Sequence, residues 1–231
     1  MNIIENVNRF FVQNDIYYNI SNRSDHRPTS AGGQKSTGPD GLLLSESWLQ
    51  KYILQSGGDD CLYYNVMDIA RYIINYAHKT KQSISNLKLQ KLLYYVQAAF
   101  LISDREHVCF RDVILSWRHG PVIRRVYDEY SRYGAGEIPY QSSYHKIALV
   151  DGRLRLKRET FTDQFLSEDD AALIDRVLDG LLPYDAWYLV DRTHEEEPWK
   201  ALPCYNEEIT PESIQEYFNV HSGRIYGKFD Q

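Results

Sequence analysis

The sequence predicts a mainly α fold: a compact helical domain with one small antiparallel β-hairpin, preceded by an N-terminal extension. Three observations predict it. Beyond residue 63, apolar residues recur at helical spacing in segment after segment. One stretch alternates instead, on both sides of an Asp-Gly pair. Before residue 63, the apolar pieces are short and a linker separates them, too little to build a core.

In the extension, residues 1–62, the first twenty residues place Ile3, Ile4, Val7, Phe10 and Phe11 on one face of a short helix. Then "SNRSDHRPTSAGGQKSTGPDG" (21–41) holds no apolar residue larger than Ala31 and reads as a flexible linker. A second short helix carries Trp48, Leu49, Tyr52 and Ile53, and Gly57-Gly58 ends it. The domain proper is set at residues 63–220, with 221–231 as a C-terminal tail.

"NVMDIARYIINYAHKT" predicts a helix with Asn65 as N-cap and Val66, Ile69, Ile73, Ile74 and Ala77 on its buried face. "SNLKLQKLLYYVQAAFLI" predicts a second, striped by Leu89, Leu92, Leu93, Val96 and Phe100, with Lys88, Gln90 and Lys91 off the stripe. "DVILSW" fits a short strand or a buried loop. Pro121 fits the first turn of a following helix, and Gly134 its C′ position. In "HKIALVDGRLRLKRE", Ile147 and Leu149 are expected opposite Leu154 and Leu156. Ser167 caps a helix with Glu168, Asp169 and Asp170 in its first turn and Leu173, Ile174, Val177, Leu178 and Leu181 as its stripe; Pro183 stops it. Thr210 and Pro211 open the last helix.

Composition narrows the function. Hydrophobic residues make up 43% and charged residues 25%, an ordinary globular balance, but the 19 tyrosines suit interfaces and half-buried faces. No apolar run approaches a membrane span and no apolar signal core opens the chain, so a cytoplasmic protein with no membrane partner is expected. Cys61, Cys109 and Cys204 are scattered and form no CxxC, which argues for free thiols. Net charge is −6, and between Glu159 and Glu216 sixteen Asp or Glu face three Lys or Arg. Such a region repels phosphates and attracts a basic protein, unless it is simply a set of solvated helix faces.

The stretch "SWRHGPVIRRVYDEYSRYG" (116–134) is either a site or a structural joint. His119 and His194 are the histidines in the most unusual contexts, and Glu195, Glu196 and Glu197 follow His194 directly. No HExxH, HxxxH or HxH spacing supports a metal there, and Thr193 with Glu196 fits a capping box. No nucleophile elbow, Walker loop or dinucleotide fingerprint occurs. Hence no catalytic residue, metal or cofactor is assigned. Lys88, Lys91, Arg118, Arg124, Arg125 and Arg132 read as a solvated basic face. The "TKQSIS" connection is too long for a helix-turn-helix, so no nucleic acid partner is expected.

Together "YNVMDIARYII", "SISNLKLQKLLYYVQAAFL", "WRHGPVIRRVYDEY" and "THEEEPW" before "ITPESIQEYF" resemble the Panacea domain of SocA-like and phage-associated GepA-type antitoxins, over roughly residues 63–218. The family motif falls on Leu89, Gln90, Lys91, Leu92, Tyr94, Tyr95, Trp117, Arg118, His119, Gly120, Pro121, Thr193, His194, Pro198 and Trp199, expected to be mostly scaffold. The resemblance implies a non-enzymatic antitoxin of a bacterial or prophage toxin–antitoxin pair, neutralising its toxin by direct binding. An alternative within the family is an adaptor that delivers the toxin to a protease such as a Clp-type machine. An alternative of another class is a hydrolase or metal enzyme built on His119, His194 and the glutamates. Partner anchors are expected at Phe10, Phe11, Trp48, Tyr52 and Ile53 in the extension and at Arg118 and His119 in the domain. The acidic region would steer a basic toxin.

Overall fold

A computed structural model describes residues 63–103, 108–150, 153–202 and 205–229. All of them belong to one compact unit, Leu62–Gln231. The helices expected in residues 1–62, with the anchors Phe10, Phe11, Trp48, Tyr52 and Ile53, lie outside the described residues, as do Cys61 and Cys204.

The described residues build seven α-helices and two small antiparallel sheets. In order these are α1 (Val66–Lys79), α2 (Asn86–Leu101), β1 (Leu115–Trp117), β2 (Gly120–Val122), α3 (Arg124–Tyr130), β3 (Ser143–Val150), β4 (Arg153–Thr160), α4 (Glu168–Leu181), α5 (Ala186–His194), α6 (Glu197–Lys200) and α7 (Pro211–Val220). Short 3-10 turns follow α3 and α7, at Ser131–Tyr133 and Ser222–Tyr226.

Local chemistry sets the helix starts, as expected at Asn65, Ser167 and Thr210 and in addition at Ser85. The side chains of Asn65, Ser85, Ser167 and Thr210 accept from the amides of Met67, Lys88, Asp170 and Ser213. Each such cap contributes about 1 kcal/mol. Asp185 caps α5 in the same way, from the amide of Tyr188.

Helix α2 is the axis of the domain. It packs against α1, α4, α5, α7 and β2, and every residue from Lys88 to Phe100 is buried. The expected one-sided stripe is therefore corrected: a helix surrounded by others has no solvent face. Its polar residues at 88, 90 and 91 are interior groups that must find partners there.

Beside it, α1 and α4 are joined by tyrosines. Tyr64, Tyr72 and Tyr76 donate from their hydroxyls to Asp170, Asp175 and Asp179 at 2.5, 2.7 and 2.6 Å. Asp170 is thus buried and Asp175 half-buried as hydrogen-bond acceptors, whereas Asp179 accepts at the surface.

The segment before α3 differs from expectation. Gly120 and Pro121 lie in a strand, with Leu115↔Val122, Ser116↔Pro121 and Trp117↔Gly120 as pairs. Helix α3 begins only at Arg124, after the residues paired in β2, and the amide of its N-cap Ile123 donates to Gln90 Oε1 at 2.9 Å. Gly134, at φ +55°, closes the 3-10 turn after α3. On its other side β1 meets residues 206–209, where the Ser116 amide donates to the Glu207 carbonyl and the Asn206 amide to the Ser116 carbonyl.

The second hairpin follows its expected register, Ile147↔Leu156 and Leu149↔Leu154, over eight pairs. Among the described residues, no helix is long and apolar enough to cross a membrane, and Cys109 is a buried free thiol.

Candidate functional site

The motif residues converge where α2 meets β2 and α5. Gln90 is buried and uses both ends of its amide: Nε2 donates to Asn86 Oδ1 at 3.0 Å, and Oε1 accepts from the Ile123 amide. One residue on, Lys91 has no exposed surface, and its Nζ donates to the Pro121 carbonyl at 2.9 Å. No carboxylate forms an ion pair with it among the described residues. Burial therefore pushes its amine down to about 7.

Gly120 covers that amine. Its φ is +90°, and a Cβ added there would stand 2.6 Å from Thr193 Oγ1 and 2.8 Å from Lys91 Nζ. Only a glycine allows the hairpin to approach α2 so closely. Thr193 does not form the expected capping box. It sits inside α5, fully buried, and its hydroxyl donates to the Val190 carbonyl at 2.9 Å. Glu196, the N-cap of α6, makes no capping bond either.

Glu196 points into the interior instead, where it accepts from the Tyr95 hydroxyl at 2.8 Å and from Arg224 Nε at 3.0 Å. Burial raises its carboxyl to about 7, against the opposing pull of Arg224 and Tyr95. Arg224 also donates to the Arg192 carbonyl, which ties the last 3-10 turn to α5. Glu195 pairs with Arg192 and Arg224, and Glu197 is exposed. The three glutamates that follow His194 in sequence therefore diverge.

His194 stacks on Trp199, with ring centroids 4.0 Å apart, and the Trp199 indole donates to the Trp117 carbonyl at 3.0 Å. Burial and the nearby Lys91 hold its imidazole below the usual range. This aromatic pair buttresses β1 from below. At the turn above, Arg118 and His119 are exposed, and His119 meets Trp187 edge-on at 5.1 Å. Trp187 is 58% exposed, and the Trp117 ring packs against Tyr127 at 4.9 Å.

The structure thus divides the motif into a buried base and an exposed tip. Leu89 to Leu92, Tyr94, Tyr95, Gly120, Pro121, Thr193 and Pro198 are interior. The basic face expected from this region shrinks accordingly. Lys91 is interior and Lys88 donates to the Leu182 carbonyl at 2.7 Å. Arg124, Arg125 and Arg132 lie next to Asp128, Asp112 and Glu129. Among the described residues, no group of three or more His, Cys, Asp or Glu is placed to hold a metal ion. Sequence reasoning missed Trp187. Its signal is a bulky aromatic two residues after the Asp185 cap, on the side of α5 away from Leu189.

The family model for the antitoxin SocA-like Panacea domain matches residues 89–200. That span begins in α2 and ends with α6, so it contains the base and the tip and leaves out Arg224. It is narrower than the resemblance over 63–218. No curated protein and no solved structure matches the chain.

Proposed function

From the premise that residues 89–200 are a Panacea domain of the SocA-like antitoxin family, we propose that the protein is the antitoxin of a toxin–antitoxin pair. It neutralises the toxin by direct binding and performs no catalysis of its own. One observation carries this reading: the motif buries its polar groups to hold a hairpin whose tip, Arg118 and His119, stays exposed beside Trp187. Trp and Arg are the side chains that dominate binding hot spots. A tip fixed by Lys91, Gln90 and Trp199 loses little freedom on docking, so more of its interaction energy becomes affinity.

In the same proposal, Phe10, Phe11, Trp48, Tyr52 and Ile53 are additional anchors that order on the toxin. The exposed acidic residues of 159–216 speed the approach of a basic toxin.

Co-expression with the cognate toxin tests the assignment. Combining Arg118→Ala with Trp187→Ala should abolish rescue while the thermal midpoint stays that of the parent. Full rescue by this double variant would remove the tip from the interface. A parallel deletion of residues 1–60 measures the contribution of the extension. Steady toxin levels in rescued cells support blocking, and toxin loss that depends on a Clp-type protease supports delivery instead.

A further inference from the structure

The β3–β4 ribbon carries charge of the opposite sign to the chain as a whole. Residues 143–160 hold five Lys or Arg and one His against two acidic residues, in a protein of net charge −6. Strands β3 and β4 pack chiefly on each other. The body grips the ribbon at its base, where the Arg71 guanidinium lies 4.0 Å over the Tyr144 ring. Eight residues per strand give an arm about 26 Å long.

Register organises that charge. Pairing places Lys146 opposite Lys157 and Ala148 opposite Arg155, all on one face. Lys146, Arg155, Lys157 and Arg158 are exposed. Like charges directly opposite each other destabilise a ladder. Glu159 offsets the lysine pair, at 3.3 Å from Lys146 and 2.9 Å from Lys157. No ion pair among the described residues offsets Arg155. Among the described residues, the ion pairs of these cations stay within the ribbon itself.

We infer that the ribbon is a docking arm for double-stranded DNA, gripping its phosphates through the face that carries Lys146, Arg155 and Lys157. The major groove, about 12 Å wide, admits a two-stranded β-ribbon, whereas the RNA major groove is too deep and narrow. A single strand is disfavoured because it needs aromatic platforms for its bases. The described large hydrophobic residue exposed on the ribbon is Leu156. A protein partner is disfavoured on similar grounds, since interfaces centre on aromatic anchors. A DNA-docking arm runs against the expectation of no nucleic acid partner, which weighed the acidic region 159–216 and the helices around residues 80–85 but not the ribbon. It goes beyond toxin neutralisation and does not depend on it.

The test is fluorescence anisotropy of the full chain on a labelled random-sequence duplex, titrated between about 50 and 200 mM salt. Binding should weaken linearly in log–log form. The triple variant Lys146→Ser, Arg155→Ser, Lys157→Ser should lower that slope by about 2 to 3, near 0.9 for each phosphate no longer neutralised. The same variant should still rescue cells from the toxin. Three results would overturn the inference: no binding at the lowest salt, equal binding by the triple variant, or equal competition by poly-glutamate of matched charge. The last would assign the arm to an acidic protein.

Discussion

β1–β2 and β3–β4 are both antiparallel hairpins, yet opposite means hold them in place. The first has three residue pairs, the second eight. The short one is gripped from beneath by Lys91 and Gln90 of α2, Thr193 of α5 and Trp199 of α6, and residues 206–209 run alongside it. The long one relies on its own ladder, and an isolated two-stranded ribbon is marginal in water. Placement of the β1–β2 tip is therefore a property of the whole domain. Placement of the β3–β4 arm is a local property, and its residues are open to change.

The strongest test of that contrast is Gly120→Ala. The substitution forces a side chain into the +90° backbone conformation and onto Thr193 Oγ1 and Lys91. Strain at a positive φ costs about 1–3 kcal/mol and overpacking a similar amount. The expected loss is about 3 kcal/mol or more, measured as a shift of the urea midpoint at constant m-value. A loss under about 1 kcal/mol would mean that the short hairpin is no better anchored than the long one.

Lys91→Met gives the next largest effect, and its signature is pH dependence. The folded amine is depressed to about 7 from 10.5, so across that window the unfolded chain binds more protons than the folded one. Stability contributed by this site is lowest below the folded value and rises with pH through the window, by up to about 1.4 kcal/mol per unit. The methionine variant should lack that rise and equal or exceed the parent near neutrality. Parallel stability curves for the two proteins between these limits would show that Lys91 keeps its ordinary proton affinity.

Glu196→Gln reports on the same base from the acid side. The carboxyl is raised from 4.5 to about 7, so the folded state holds its proton longer and this site loses stability as pH rises through that range. Parent and variant should therefore diverge between those limits, with the parent falling relative to the variant. An unchanged difference across them would place the carboxylate in its ordinary range, satisfied by Arg224.

The two hairpins also differ in how far the sequence disclosed them. The register of β3–β4 was legible because alternation and the Asp-Gly pair are local signals. Helix caps at Asn65, Ser167 and Thr210 were legible for the same reason. The short hairpin was not. Pro121 next to a helical stretch favours a helix start locally, and what places it in a strand is a Gln90 amide and a Lys91 amine contributed by another helix. The same limit explains the capping-box error. Thr193 and Glu196 have the right spacing, but Arg224, far along the chain, draws Glu196 inward. Lys88 and Lys91 looked like surface residues because their partners are backbone carbonyls, which leave no mark in composition.

The smallest expected effect lies on the long hairpin, at Leu156. The residue is 52% exposed and stands opposite Ile147 in the ladder. Leu156→Thr keeps a good strand former there, so only the exposed apolar surface is removed. If the ribbon depends on its own ladder, the global midpoint should move by no more than about 0.5 kcal/mol, as for most surface changes. Leu156 nevertheless leaves an apolar side chain in the open on the ribbon. A second copy of the chain covering Leu156 would change the outcome. The substitution would then cost more than about 1 kcal/mol, and the midpoint of the parent would rise with protein concentration. Denaturation at two concentrations a hundredfold apart separates the two cases. A concentration-independent parent with an unmoved variant leaves the arm as the independent element this comparison requires.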